Sequence, residues 1–139
     1  MRILILCTGN SARSQIAEGL LRHEGGPDCH VFSAGTHPSR VRPEAIEVMR
    51  EAGIDISGHR AKSVDEFAGL DFDYVITVCD NAKESCPIFP TKTKRIHWSI
   101  LDPAALQGSE EERLAAFRLA REELRARLHA FVQSEIQPR

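Results

Sequence analysis

The sequence predicts an α/β fold built on a parallel sheet. Three observations carry this: short apolar runs of strand length, longer stretches with apolar residues at helical spacing, and the alternation of the two along the chain. Ile3 to Leu6 is a continuous apolar run, the pattern of a strand covered on both faces. Ile16, Ala17, Leu20 and Leu21 then recur on one helical face until Gly25-Gly26-Pro27 stops the pattern. Val31 and Phe32 lead a second strand into Ser33-Ala34-Gly35-Thr36. Pro43 suits a first helical turn, Ala45, Ile46 and Met49 share a face behind it, and Gly53 ends that helix. Ser63 and Glu66 form a capping-box pattern that opens a short helix. Tyr74 to Val78 is the third strand, with Cys79 at its end, and Arg95 to Trp98 is the fourth. A second capping box, Ser109 and Glu112, starts a last helix whose apolar stripe is Leu114, Phe117, Ala120, Leu124, Leu128 and Phe131.

The 139 residues suit one domain, 1–139, with one core. No apolar run approaches the roughly 20 residues of a membrane span, and the N-terminal run is too brief for a signal peptide. A cytoplasmic protein without membrane contact is expected. The net charge of −2, from 18 basic and 20 acidic residues, gives no global argument for nucleic acid.

Four cysteines are present, Cys7, Cys29, Cys79 and Cys86. In the cytosol, nucleophilic or redox roles are expected of them rather than static disulfides. Cys79 and Cys86 are spaced Cys-x6-Cys with no His-x3-5-His to follow, which is not a zinc pattern, so no metal and no cofactor are expected. Cys29 has no partner in view and reads as a small core residue.

Ligands in such folds bind beyond the C-terminal ends of the strands, which places Cys7-Thr8-Gly9-Asn10-Ser11-Ala12-Arg13-Ser14 at the expected site. The segment joins a buried strand to a helix N-terminus, where unpaired N–H groups and the helix dipole favour an anion. Gly9 and Asn10 tolerate the backbone angles of a tight cradle. Arg13 is suited to hold two oxygens of a tetrahedral oxyanion. Cys7, beside the arginine and the helix end, is expected to have a pKa lowered by a few units, with Ser14 donating to the thiolate.

Cys7 to Ser14 resembles the oxyanion loop of the low-molecular-weight tyrosine phosphatases and of the arsenate reductases related to them. Gln15-Ile16-Ala17-Glu18, Ser33-Ala34-Gly35-Thr36 and Ile54-Asp55-Ile56-Ser57-Gly58-His59 are similar to that superfamily as well. The resemblance spans nearly the whole chain. It implies a single three-layer sandwich with four parallel strands in the order 2-1-3-4, and substrate binding by Thr8, Gly9, Asn10, Ser11, Ala12, Arg13 and Ser14. It also implies that Asp102, followed by Pro103 and placed after the fourth strand, is the general acid for the departing oxygen.

The remaining cysteines separate the two branches. A phosphatase hydrolyses phosphate monoesters through a Cys7 phosphoenzyme and needs no other thiol; a reductase must deliver two electrons. Cys79-x6-Cys86-Pro87 resembles the thioredoxin-coupled arsenate reductases, and Ala104-Ala105 stand where the phosphatase branch usually carries two tyrosines. The resemblance implies attack of Cys7 on arsenate and a Cys7, Cys79, Cys86 disulfide relay that thioredoxin reverses. Phosphate and sulfate are then competing oxyanions, weak side phosphatase activity persists, and the chain acts as a monomer. Some members bind potassium near Asn10, Glu18 and Ser33; here Lys62 is expected to replace the ion. His59 and His97 are expected to be hydrogen-bonded structural residues.

Overall fold

Hydrophobic runs flanked by polar turns assemble as β1 (Arg2–Cys7), β2 (His30–Gly35), β3 (Tyr74–Thr77) and β4 (Lys94–His97). The computed structural model describes residues 1–67, 69–79 and 92–136. The strands form one sheet in the order β2-β1-β3-β4, every neighbouring pair parallel. The central strands are the apolar ones: β1 is buried from Ile3 onward and β3 throughout, whereas β4 exposes Lys94 and Arg95 along the sheet edge.

Among the described residues, three helices accompany the sheet: α1 (Arg13–Gly25), α2 (Pro43–Glu51) and α3 (Glu110–Phe131). α2 begins at Pro43, whose missing N–H costs nothing in a first turn. It ends at Gly53, where φ is +79° and the amides of Gly53 and Ile54 return to the carbonyls of Arg50 and Met49 at 3.0 and 2.9 Å. α3 starts with the complete capping box of Ser109 and Glu112, and Phe117, Ala120, Leu124, Leu128 and Phe131 are its buried stripe. Glu51 ties α2 to α3 through Arg118 at 2.7 Å and Arg121 at 3.1 Å.

One predicted helix start differs. Residues Val64–Phe67 make a single 3-10 turn, and the expected capping box does not form. Ser63 Oγ accepts from the Asp65 amide, but the Glu66 carboxylate is drawn away to Arg60 at 2.7 Å. The bidentate pair with Arg60 has taken the carboxylate that the cap would use. The sequence pattern also stops short of residues Val132–Ile136, which wind into a π-helical turn behind α3, held where Tyr74 donates to Glu135 at 3.0 Å.

Two close approaches fix where the thiols sit. Cys29, buried just before β2, lies so near Gly25 that a Cβ there would meet its sulfur at 2.8 Å. At the other end of the sheet, Gly35 pairs with Cys7 in register, and its Cα faces the backbone of the following loop. A Cβ at Gly35 would come within 2.5 Å of Thr8 O and 2.8 Å of Asn10 N. Neither neighbour is a flexible side chain, so the loop itself would have to move. Gly35→Ala should therefore destabilise the fold by about 1–3 kcal/mol, the cost of overpacking, and weaken phosphate binding. Thermal unfolding and calorimetric titration check both; unchanged binding would show that the loop does not rest on Gly35.

Candidate active site

β1 delivers Cys7 as its last residue, and six residues later α1 begins. The helix N-cap is Ala12, which has no side chain able to cap, and the first turn carries no acidic residue. The amides of that turn are left available to a ligand, and nothing negative competes for them.

Asn10 shapes the loop between. It is fully buried and sits at φ 48°, a left-handed conformation that asparagine tolerates better than most residues. Its Nδ2 donates to Ser14 Oγ at 2.8 Å and Ser33 Oγ at 3.0 Å. Its Oδ1 accepts from Gln15 Nε2 at 3.0 Å and from the Lys62 amide at 2.8 Å. Its backbone N–H points at Cys7 Sγ, 3.2 Å away. Gln15 also reaches Asn10 O and Arg60 O, and its Oε1 meets His59 Nδ1 at 3.0 Å. Gln15 and Gly35 are thus positioning residues for which the sequence offered a resemblance but no physical reason. The available signal for Gln15 was a long polar side chain next to Ile16 and Ala17, where the apolar face of the helix begins.

The Cys7 sulfur is 2.8 Å from Ser14 Oγ. The sequence predicts a lowered thiol pKa; the structure reverses the direction. Burial is the largest influence and pushes Cys7 up, and Cys79 adds to that; the Ser14 hydroxyl and amide and the Arg13 charge pull the other way. Arg13 extends to the mouth of the site, where it donates to Ile100 O at 2.8 Å and lies 3.7 Å from Asp102 Oδ2. Asp102 also caps the turn Pro103–Ala105 by accepting from the Ala104 amide at 3.0 Å. Its side chain remains 42% exposed, so the carboxyl stands beside the arginine with access to solvent.

Parallel register brings in the second sulfur. Leu6 pairs with Thr77, so two residues further on Cys79 stands beside Thr8. Cys79 is buried, with its sulfur 3.2 Å from Thr8 Oγ1, one residue from Cys7. Cys86 lies outside the described residues. Cys29 is buried at the far end of the sheet, where burial pushes its thiol up. His97 Nδ1 is 2.7 Å from Thr77 Oγ1, between two strands.

Behind the loop lies a buried carboxylate. Glu18 accepts from Ser33 Oγ at 2.5 Å and faces Arg22 at 3.2 Å, His59 at 3.6 Å and Lys62 at 3.8 Å. Burial lowers both His59 and Lys62, while Glu18 opposes the fall in each.

A parallel sheet that ends in a buried cysteine, an amide-lined helix start, an arginine and an aspartate defines a cysteine-centred oxyanion site. The family model for low molecular weight phosphotyrosine protein phosphatases matches residues 2–138, and the chain belongs to that family. An arsenate reductase of Bacillus licheniformis is 42% identical over 132 residues, 95% of each chain. Among solved structures, an arsenate reductase in the phosphate binding state superposes with TM-score 0.78 at 32% identity, over 97% of this chain and 98% of the other. A thioredoxin-dependent arsenate reductase from Corynebacterium glutamicum superposes with TM-score 0.65 at 28% identity, over 93% of this chain and 62% of its own. Among the described residues, no helix is long and apolar enough to cross a membrane.

The Ser14 hydroxyl opposes burial at Cys7, so its removal has a definite sign. Ser14→Ala should move the midpoint of Cys7 alkylation to higher pH and slow alkylation at neutral pH roughly tenfold or more, as expected for a hydrogen bond to a charged group. Iodoacetamide kinetics against pH, with Cys7→Ser as the blank, measure it; a midpoint that stays put or falls would remove Ser14 from this role.

Proposed function

We propose that the protein is a thioredoxin-dependent arsenate reductase, working as a single-domain cytoplasmic monomer. The observation that carries this is the sulfur of Cys79 set 3.2 Å from Thr8, beside the nucleophile at the floor of an oxyanion cradle. A phosphatase has no use for a second thiol there. The relatives described above support the same choice.

Arsenate sits on the amides of residues 8–14, with two oxygens on Arg13. Cys7 attacks arsenic and a sulfur–arsenic bond forms; Asp102 protonates the departing oxygen, which leaves as water. The sulfur of Cys79 then attacks Cys7 Sγ. The electron pair of the sulfur–arsenic bond stays on arsenic, which leaves as arsenite, and a Cys7–Cys79 disulfide remains. Cys86 attacks Cys79, releases Cys7 and leaves a Cys79–Cys86 disulfide for the thioredoxin dithiol. Phosphate and sulfate compete for the cradle, and slow hydrolysis of phosphate monoesters follows from the shared first step. Ala104 packs against the core and, with Ala105, offers no aromatic wall for a phosphotyrosine ring.

The decisive assay is NADPH consumption with thioredoxin, thioredoxin reductase and arsenate, run beside aryl phosphate hydrolysis. Cys7→Ser should abolish both. Cys86→Ser should allow about one turnover and accumulate a Cys7–Cys79 disulfide, visible by mass spectrometry. Sustained thioredoxin-driven turnover in that variant would defeat the relay, and strong hydrolysis without arsenate-dependent consumption would favour the phosphatase.

The Lys62 ammonium takes the place of a potassium ion. Glu18 already faces Lys62 and Arg22, so a further cation would meet two positive charges around one carboxylate. Rates in potassium and sodium chloride at matched ionic strength should agree; a potassium-specific rise would sink this assignment.

A further inference from the structure

The segment between β2 and α2 runs along the oxyanion loop and is joined to it backbone to backbone. His37 N donates to Thr8 O at 2.8 Å, Ser39 N to Gly9 O at 2.9 Å and Arg42 N to Ser11 O at 2.8 Å. Three cradle residues, Thr8, Gly9 and Ser11, are thereby matched by a second strip of chain, which carries Arg40 and Arg42. Both are exposed.

Their surroundings differ from those of the arginines on α3. Arg113, Arg118, Arg121, Arg125 and Arg127 each sit within 4.0 Å of a carboxylate, but neither Arg40 nor Arg42 does among the described residues. Two acids that flank the site and the start of α2 are already engaged, Asp102 with Arg13 and Glu44 with Arg113, each at 3.7 Å. Two uncompensated guanidinium groups therefore stand at the lip of an anion site, on a chain whose net charge of −2 would otherwise repel anions weakly. The strip lies against the backbone of the cradle, so the field of these charges reaches the site most strongly at low salt, below about 0.1 M, where the Debye length exceeds roughly 10 Å.

We propose that Arg40 and Arg42 form a cationic lip that recruits anionic substrates to Cys7 and favours them over neutral electrophiles. The assignment rests on Cys7 being the nucleophile of an oxyanion site, but not on arsenate being the anion. The lip acts on encounter and not on the bond-making step, so it contributes to kcat/KM and leaves kcat alone.

The test is alkylation of Cys7 by anionic iodoacetate and neutral iodoacetamide in the reduced full-length protein carrying R40E/R42E. An R125E/R127E variant reproduces the same change in net charge at a distance. The iodoacetate rate should fall roughly three- to tenfold at low salt, the iodoacetamide rate should hold, and the difference should vanish at high salt. kcat/KM for arsenate should fall in parallel with kcat unchanged. Equal losses for both reagents, no loss for either, or the same effect from R125E/R127E would overturn the lip. Charge-selective alkylation without any arsenate reduction would leave the lip standing and remove arsenate as its substrate.

Discussion

The site depends on a buried asparagine held in a left-handed conformation. Asn10 satisfies the hydrogen-bonding capacity of its side chain inside the protein, through Ser14, Ser33, Gln15 and the Lys62 amide. These partners come from α1, from β2 and from the segment after α2, so the loop is shaped by elements that fold from distant parts of the chain. A buried amide costs free energy when any of its partners is missing. The network consequently has one arrangement, and it aims a backbone N–H at the sulfur of Cys7. Gly35 makes the arrangement sterically feasible by letting β2 meet the loop backbone directly.

The electrostatics of Cys7 come from a contest within that frame. Enclosure in a dry cradle penalises the thiolate, while Ser14 and Arg13 favour it. A dry cradle strengthens any anion contact made in it, yet the same dryness opposes the charged form of Cys7. Asp102 stands at the rim, open to water and 3.7 Å from Arg13.

The strands, the helices and the position of the oxyanion loop were legible in the sequence because each rests on local pattern, whereas the order of the strands came only from the resemblance. Ile3–Leu6 and the α3 stripe announce themselves through periodicity, and the loop through its residue types between a strand and a helix. Cys79 was placed beside the loop by topology alone, since parallel strands put their C-terminal ends on one side. What escaped notice is what depends on distant residues. Glu66 reads as a cap until Arg60 is known to lie beside it. The direction of the Cys7 shift depends on how much protein closes over the sulfur, which no local pattern records. The bridging of Gln15 to Arg60 and His59 joins positions 45 and 44 residues apart.

Cys29 illustrates how geometry can isolate a reactive group without any special chemistry. It immediately precedes His30, which is in register with Arg2, whereas Cys7 is in register with Gly35. Five residues of strand separate those levels, about 17 Å at the usual rise, and a disulfide requires α-carbons within roughly 7 Å. The length of the sheet is therefore an insulator: no disulfide can join Cys29 to Cys7 or Cys79 while the sheet is intact. A thiol count on the denatured chain will include a cysteine that neither Cys7 nor Cys79 can reach in the native fold.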